Sequence, residues 1–479
     1  MHDRVTLGRR TLLIVVQYVL GSLVGLVCLW LSTRYFSEAV VGLVLGVGFS
    51  SFHLLVFFSD LGLRQAHMSL VQSRDSGECN SSYLLSKLLL CSLMSFLFLT
   101  IIALSDARND VMLVFLFCAV LFTLRDIPIG IFDSRIESVK SQSAIVVEHI
   151  ARLILTVIFS LLAMGKGDDI SAIYLSMTFL LSMLASVLFS YVFLRGYPFG
   201  RPKHMRAYFA LAPGIAFIGG MDIIMLNVDK IALQFFVSAE ALGVYTGVNK
   251  LAQLMFYLST ALITVLLPTV AMQDDESAVR STAFAERYLT MIVIPVTLLA
   301  IALRREVIGV LLSRESYLGG EVALVILLIA TMLLSISRSE AILLFGKGRK
   351  GAILINMVLA FMYVSLTMVL SYLFSANGAA MAALISGVFA FLAFRYACKR
   401  EFEKPVFDNH LKRQFLSGMA AFIAVAVLNT FGISEELKFL FFLFLIATGT
   451  IIYLVSLLLT KELNLDDLAY AIELIRGRK

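Results

Sequence analysis

Six ionisable side chains interrupt long apolar stretches of this 479-residue sequence. They are His53, Arg152, Asp222, Lys250, Arg338 and Glu340. A charge at the centre of a bilayer costs about 3 kcal/mol or more unless it faces protein or water. Each of these side chains therefore needs a partner, a water-filled cavity or a ligand.

Asp222 is the deepest carboxylate. It lies about fourteen residues into its apolar stretch, or roughly 20 Å deep at a rise of 1.5 Å per residue. It follows Pro213-Gly214 and Gly219-Gly220, which kink or loosen a helix and free backbone groups. Its functional interpretation is a carboxylate that couples transport to a cation or a proton, and the structural alternative is a carboxyl buried neutral or paired.

Arg338 and Glu340 are two residues apart, so they point away from each other on a helix and cannot pair together. Ser335 and Ser339 give the face around Arg338 a polar stripe, which favours a cavity. Lys250 lies about 10 Å below the outer end of its stretch, within partial reach of snorkelling. For Lys250 a functional and a structural role stay equally open.

Arg152 follows Glu148 by four residues, the favourable order for an ion pair within one helix. The spacing predicts a self-neutralised structural pair, with a site for an anion as the alternative. His53 is predicted to be a hydrogen-bonded packing residue, with a proton relay as the alternative.

The elements that position these residues are membrane helices, because 60% of the residues are hydrophobic, 15% are charged and the mean hydropathy is +0.92. About fourteen stretches are long enough to cross a bilayer. They lie near 11–33, 39–58, 83–104, 111–131, 144–164, 171–194, 207–228, 243–270, 287–303, 322–345, 353–374, 379–398, 414–431 and 437–460.

Positive charge fixes an orientation for these spans. With the N-terminus on one side, the connections on that side hold roughly 28 Lys and Arg, against roughly 8 on the other. Both termini are therefore expected in the cytoplasm. The apolar stretch after the first ten residues is too long for a signal peptide, so we expect it to be a retained span.

The chain resembles itself after the first and the seventh span. Residues 37–42 read Ser-Glu-Ala-Val-Val-Gly, and residues 238–243 read Ser-Ala-Glu-Ala-Leu-Gly. Two six-helix lobes in the same orientation would form a parallel repeat with a cavity between them. We therefore predict an N-terminal lobe at 1–206, a C-terminal lobe at 207–400, and an added helical pair with a cytoplasmic tail at 401–479.

Several classes of protein are disfavoured. The longest predicted outside connection, Arg304 to Glu321, has no histidine, no Asp-x-Asp pair and no metal-ligand spacing, which argues against an enzyme. The chain has no Gly-x-x-x-x-Gly-Lys-Ser/Thr loop for nucleotide phosphates. Its five cysteines lack paired spacing, and its excess of Lys and Arg sits between the spans, as orientation rather than nucleic-acid binding requires.

One longer pattern resembles a known family. It reads NVDKIALQFFVSAEALGVY at 227–245, followed by Asn249-Lys250-Leu251 and Leu267-Pro268. With FSDLGL at 58–63 and LLSRESYLG at 311–319, it resembles the polysaccharide flippases of the Wzx type, whose superfamily also contains MATE exporters and lipid II flippases. Fourteen spans, where many relatives have twelve, leave the subfamily open.

The resemblance implies a V-shaped, MATE-like all-α bundle in the bacterial cytoplasmic (inner) membrane. It would flip a polyprenyl-diphosphate-linked oligosaccharide to the outer leaflet by alternating access, for cell-surface polysaccharide such as O-antigen lipopolysaccharide. Lys250 matches the family's basic cavity position, and charge and depth add Arg338 and Arg152 as substrate-binding residues. Asp222, Glu340 and His53 are the candidates for ion or proton coupling.

Further expectations concern the partners of the protein and an alternative function. Membrane lipids, a polysaccharide polymerase and a chain-length protein are the implied partners, and no cofactor, metal or nucleic acid is implied. The alternative function is a cation-coupled, MATE-like multidrug exporter, which would place carboxylates and aromatic rings in the cavity instead of Lys and Arg.

Overall fold

The fold is helical almost throughout. A computed structural model describes residues 2–104, 109–402, 410–431 and 438–463, and these ranges contain no strand. A helix satisfies all of its backbone hydrogen bonds within one segment, which an apolar environment without water requires. The predicted all-α fold is therefore confirmed.

The first half of the described chain contains ten helices. They are α1 (His2–Tyr35), α2 (Glu38–Val41), α3 (Phe49–Asp60), α4 (Leu63–Leu70), α5 (Ser76–Leu104), α6 (Asn109–Ser134), α7 (Ser138–Ala163), α8 (Asp168–Val192), α9 (Met205–Gly219) and α10 (Met221–Leu233). A π-helical stretch, Gly42–Gly48, joins α2 to α3.

Seven further helices follow within the described ranges. They are α11 (Ala239–Met272), α12 (Asp275–Ala302), α13 (Arg304–Leu312), α14 (Glu321–Gly346), α15 (Lys350–Phe402), α16 (His410–Asn429) and α17 (Lys438–Leu459). A short 3-10 turn, Glu315–Gly320, lies before α14.

The chain is a multi-pass membrane protein. Ten described segments are long and apolar enough to cross a bilayer. One of them, α15, is 53 residues long and has a non-helical residue, Ser375, at φ 53° and ψ −135°. This break separates two predicted spans, 353–374 and 379–398. The total of fourteen spans stays a prediction.

The seventh predicted span is broken where its glycines indicated. α9 ends at Gly219 and α10 begins at Met221, and a side chain on Gly220 would collide with the ring of Phe57. The predicted end of the span at residue 228 was wrong, because α10 continues to Leu233. Two charged residues, Asp229 and Lys230, therefore lie inside a helix and not in a connection.

The outside connection predicted at Arg304–Glu321 is also helical rather than irregular. It consists of α13 and the 3-10 turn. Nε of Arg304 lies 2.5 Å and Nε of Arg305 lies 2.9 Å from the carboxylate of Glu321. This shared carboxylate ties the start of α13 to the start of α14.

The last two helices pack on α12. Gly418 of α16 faces Leu298, and Gly449 of α17 faces Leu299. The hydroxyl of Tyr453 donates a hydrogen bond to the carbonyl oxygen of Met291 at 3.0 Å. The predicted tail falls on residues 464–479, outside the described ranges.

The backbone divides into two compact units. Unit 1 comprises 1–250, 312–320 and 356–382, and unit 2 comprises 251–311, 321–355 and 383–479. Unit 1 combines the first part of the chain with two later segments, unit 2 lies entirely after residue 250, and the lobe boundaries at 206 and 400 stay a prediction.

The two repeated segments contact each other within unit 1. Ser37 accepts a hydrogen bond from the backbone N–H of Val40, and Ser238 accepts the equivalent bond from Ala241, each at 3.3 Å. A side chain on Gly42 would collide with the carbonyl oxygen of Ala239, and one on Gly243 would collide with that of Glu38. The contact is thus reciprocal between equivalent positions, and only glycine permits it.

We expect Gly243→Ala to destabilise the protein by about 1–3 kcal/mol, because the added methyl group meets backbone that cannot move aside easily. Thermal unfolding of the purified protein in detergent measures the effect. Gly309→Ala in α13 is the matched control, since no atom lies within 4 Å of its added carbon. Equal unfolding temperatures for the two variants would contradict the close contact.

Candidate functional site

The sequence pattern at 227–245, together with Asn249, contributes a buried polar network between α10 and α11. Lys230 donates to the carboxylate of Asp229 at 2.8 Å and to the carbonyl oxygen of Leu226 at 2.6 Å. The other oxygen of Asp229 accepts bonds from the Tyr245 hydroxyl at 2.7 Å and the Asn249 amide at 3.0 Å. Both charges are fully buried, so their mutual pairing offsets the cost of desolvation.

This network fixes the part of α11 that carries Lys250, the next residue after Asn249. The Lys250 ammonium lies 4.5 Å from the centre of the Phe49 ring, in a cation–π contact. His53 meets the same ring edge-on at 4.2 Å, and its Nδ1 lies 2.8 Å from the carbonyl oxygen of Phe49. The hydrogen-bonded packing role predicted for His53 is therefore present.

Arg152 lies beside the same aromatic pair. Its guanidinium is 4.9 Å from the centre of the Phe179 ring, and the Phe179 and Phe49 rings are 5.1 Å apart. The rings thus connect Arg152, Lys250 and His53 into one half-buried group in unit 1. We call these three residues with Phe49 and Phe179 the cation–aromatic cluster.

The predicted ion pair between Arg152 and Glu148 is present, but the prediction that it neutralises itself was wrong. Arg125 of α6 also binds the Glu148 carboxylate, through the other oxygen. One carboxylate is therefore shared by two guanidinium groups. The Glu148 group keeps one positive charge in excess, and Lys250 adds a second.

Arg338 lies in unit 2, on α14. It donates to the hydroxyls of Thr260 at 2.9 Å and Ser259 at 3.3 Å, and it covers the Phe256 ring at 4.0 Å. The Arg338 side chain is half-buried, and its guanidinium contacts one aromatic ring and two hydroxyl groups. Ser335 is on the same helix and donates to the carbonyl oxygen of Met255.

The two predicted carboxylates lie on α10 and α14. Asp222 is half-buried in the first turn of α10, where the positive end of the helix dipole favours a negative charge. Glu340 of unit 2 is fully buried and lies 3.1 Å from the Nε of Arg395. Glu340 and Arg338 have different partners, as their spacing predicted.

A further ionic network in unit 1 escaped the sequence analysis. The fully buried Lys87 ammonium lies 2.5 Å from Asp60 and also binds Asp126. Arg64 bridges Asp126, at 3.0 Å, and Asp133. The sequence does contain a signal for this network. Lys87, Arg125 and Asp126 are charged residues within apolar stretches, which is the criterion that selected the six residues of the sequence analysis.

Among the described residues, no group of three or more His, Cys, Asp or Glu could hold a metal ion. The arrangement in unit 1 brings two cations, Arg152 and Lys250, to an aromatic pair, while the one carboxylate bound to Arg152, that of Glu148, is shared with Arg125.

The family model described as "Polysaccharide biosynthesis protein" matches residues 7–274 of this chain. No curated protein matches the whole sequence significantly.

Solved structures share the fold at low sequence identity. A lipid II flippase MurJ in an inward closed conformation aligns at a TM-score of 0.76 and 15% identity, covering 95% of this chain and 99% of that one. An inward-facing MATE family multidrug resistance transporter of the MOP superfamily aligns at 0.63 and 14%, covering 79% and 95%. A MOP superfamily transporter from Pyrococcus furiosus, described as having a binding pocket of reverse polarity, aligns at 0.58 and 16%, covering 82% and 96%.

We expect Asp229→Asn to lower stability by about 3–5 kcal/mol, because it leaves the buried Lys230 ammonium without its counter-charge. Thermal unfolding in detergent measures the loss. The double variant Asp229→Asn with Lys230→Met removes both charges and should recover most of it. If the double variant unfolds at the temperature of the single variant, charge pairing is not what the network contributes.

Proposed function

Because the chain belongs to the polysaccharide biosynthesis protein family, we propose that it is a flippase for a lipid-linked oligosaccharide with a polyprenyl-diphosphate anchor. It moves this lipid from the cytoplasmic to the outer leaflet of the bacterial inner membrane, by alternating access, for cell-surface polysaccharide. Both termini lie in the cytoplasm, and membrane lipids, a polymerase and a chain-length protein are its partners.

The observation that supports this proposal is the excess positive charge of the cation–aromatic cluster. Arg125 and Arg152 share one carboxylate, that of Glu148, and Lys250 lies over the Phe49 ring of the same cluster. A diphosphate presents several oxygens that accept charge-assisted hydrogen bonds from such cations, each worth about 1.5–3 kcal/mol.

The sugar is the part of such a lipid that cannot cross the bilayer without a protein. Each hydroxyl that enters hydrocarbon without a partner costs about 4 kcal/mol or more, so an oligosaccharide cannot cross unaided at a useful rate. A polar cavity that opens sideways to lipid removes most of this cost, and the polyprenyl chain never leaves the bilayer.

Arg338 of unit 2 is a further basic group in this proposal. Its guanidinium donates to the hydroxyls of Ser259 and Thr260. We assign Lys250, Arg338 and Arg152 to the anionic headgroup, and Asp222, His53 and Glu340 to coupling with an ion or a proton.

The alternative is a MATE-like exporter of organic cations, whose fold is shared. Cations bind best to carboxylates and open aromatic faces. In the cation–aromatic cluster the aromatic faces are already covered by Lys250 and Arg152, which would repel a cationic drug. Unchanged drug accumulation in cells that overexpress the chain is therefore expected.

We expect Lys250→Ala and Arg338→Ala each to weaken substrate binding roughly tenfold to hundredfold, because each removes a charged contact of about 1.5–3 kcal/mol. Surface-glycan export is measured in cells that lack their own flippase. Lys203→Ala, which removes an exposed surface ion pair with Glu78, is the control and should export normally. Full surface-glycan export by both Lys250→Ala and Arg338→Ala would refute the cationic site.

Arg125 is a positioning residue in this proposal, because it binds the Glu148 carboxylate but is not itself part of the cation–aromatic cluster. Arg125→Gln leaves Glu148 paired with Arg152 alone and removes one positive charge from this group. A unit charge contributes roughly 1.7 kcal/mol to an anion that binds about 10 Å away at an effective dielectric constant of about 20, so affinity should fall roughly tenfold.

The measurement is substrate affinity against salt concentration in reconstituted vesicles. The dependence on salt should become shallower in Arg125→Gln, and turnover at saturating substrate should change little. Arg135→Gln, at an exposed site, is the matched control. A steeper salt dependence in Arg125→Gln would show that Arg125 does not set the charge of the site.

A further inference from the structure

Unit 2 contains a buried group in which negative charge is in excess. Glu286 of α12 and Glu340 of α14 are both fully buried and face the same guanidinium, that of Arg395. Nη2 of Arg395 donates to Oε1 of Glu286 at 2.8 Å, and its Nε lies 3.1 Å from Oε1 of Glu340. Two carboxylates therefore share one cation.

Oε2 of Glu286 and both carboxyl oxygens of Glu340 accept no hydrogen bond among the described residues. The 3.1 Å contact between Glu340 and Arg395 is therefore an ion pair without a well-directed hydrogen bond. A buried ionised carboxylate without hydrogen-bond partners costs several kcal/mol, and two carboxylates at one site repel each other. A proton on one of them removes both costs, because the other carboxylate then forms a one-to-one pair with Arg395.

Other charged side chains on α12, α15 and α16 form ion pairs with residues outside this group. On α12, Arg287 pairs with Glu462 at 2.9 Å, and on α16, Arg413 lies 3.9 Å from the same carboxylate. On α15, Glu401 lies 3.6 Å from Arg349.

The thiol of Cys398, also on α15, donates to the carbonyl oxygen of Glu340 at 3.7 Å and not to its carboxylate. Among the described residues, Arg395 is the cation within ion-pair distance of Glu286 and Glu340.

We propose that Glu286 and Glu340 form a proton-binding site that holds one proton between them, with Arg395 as the group that limits the pair to a single ionised carboxylate. As the coupling site of the transport cycle, which rests on the proposed function, this pair would bind a proton from one side and release it when the surroundings of Arg395 change. Arg395 lies seven residues before the end of α15, and Glu340 lies six before the end of α14.

The test measures the bound proton directly. Infrared spectra of the full-length protein in lipid vesicles contain the carbonyl stretch of protonated carboxylic acids, which disappears as a carboxyl ionises. Wild type should show one such buried carboxyl. Glu286→Gln and Glu340→Gln should each abolish it, because either change leaves one carboxylate paired with Arg395.

Glu321→Gln is the matched control, since Glu321 is shared by Arg304 and Arg305 and should not change the band. Arg395→Lys, which keeps the charge and folds more readily than a neutral substitution, should retain the band. Absence of the band from wild type, or its persistence in both Gln variants, would overturn the site.

A second measurement separates this site from the proposed function. The acceleration of lipid flipping by an imposed proton gradient should be lost in Glu286→Gln and Glu340→Gln and kept in Glu321→Gln. If wild type flips no lipid-linked oligosaccharide but shows the band, the proposed function fails and the proton site stands. Gradient-driven flipping that is equal in wild type and both Gln variants would rule out the coupling role.

Discussion

The cost of burying charge governs this structure. An ion removed from water loses several kcal/mol of solvation, and only a counter-charge with good hydrogen bonds restores it. Asp229 and Lys230 cancel each other. Lys87 and Arg64 are shared among the three carboxylates of Asp60, Asp126 and Asp133. In the groups around Glu148 and Arg395 the charges are also unequal, and there a bound ligand or a proton would restore the balance.

The two imbalances have opposite sign. In unit 1, Glu148 faces Arg125 and Arg152, with Lys250 nearby on the same aromatic pair, so positive charge is in excess. In unit 2, Arg395 faces two carboxylates, so negative charge is in excess. In the proposed function an anionic lipid headgroup would relieve the first excess, and in the proposed proton-binding site a proton would relieve the second.

Local rules predicted much of the helical framework and little of the charge balance. Apolar length located the helices, the Gly219-Gly220 pair located the break before α10, and the spacing of Glu148 and Arg152 predicted their ion pair. The end of α10 was misplaced because Asp229 and Lys230 look like a connection until their pairing is known. Arg125 lies 23 residues from Glu148, and Arg395 lies 109 from Glu286, so only the packing of separate helices brings these partners together. A single sequence carries no periodicity that would indicate such contacts.

The glycine contact in unit 1 joins two similar segments through equivalent atoms. Gly42 approaches the carbonyl of Ala239 while Gly243 approaches that of Glu38, so each segment contacts the other through the same surface. This self-complementarity is the geometry of an isologous interface, in which two identical chains meet across a two-fold axis, formed here within one chain. The two glycines are therefore not independent positions, because a side chain at either one blocks the same crossing.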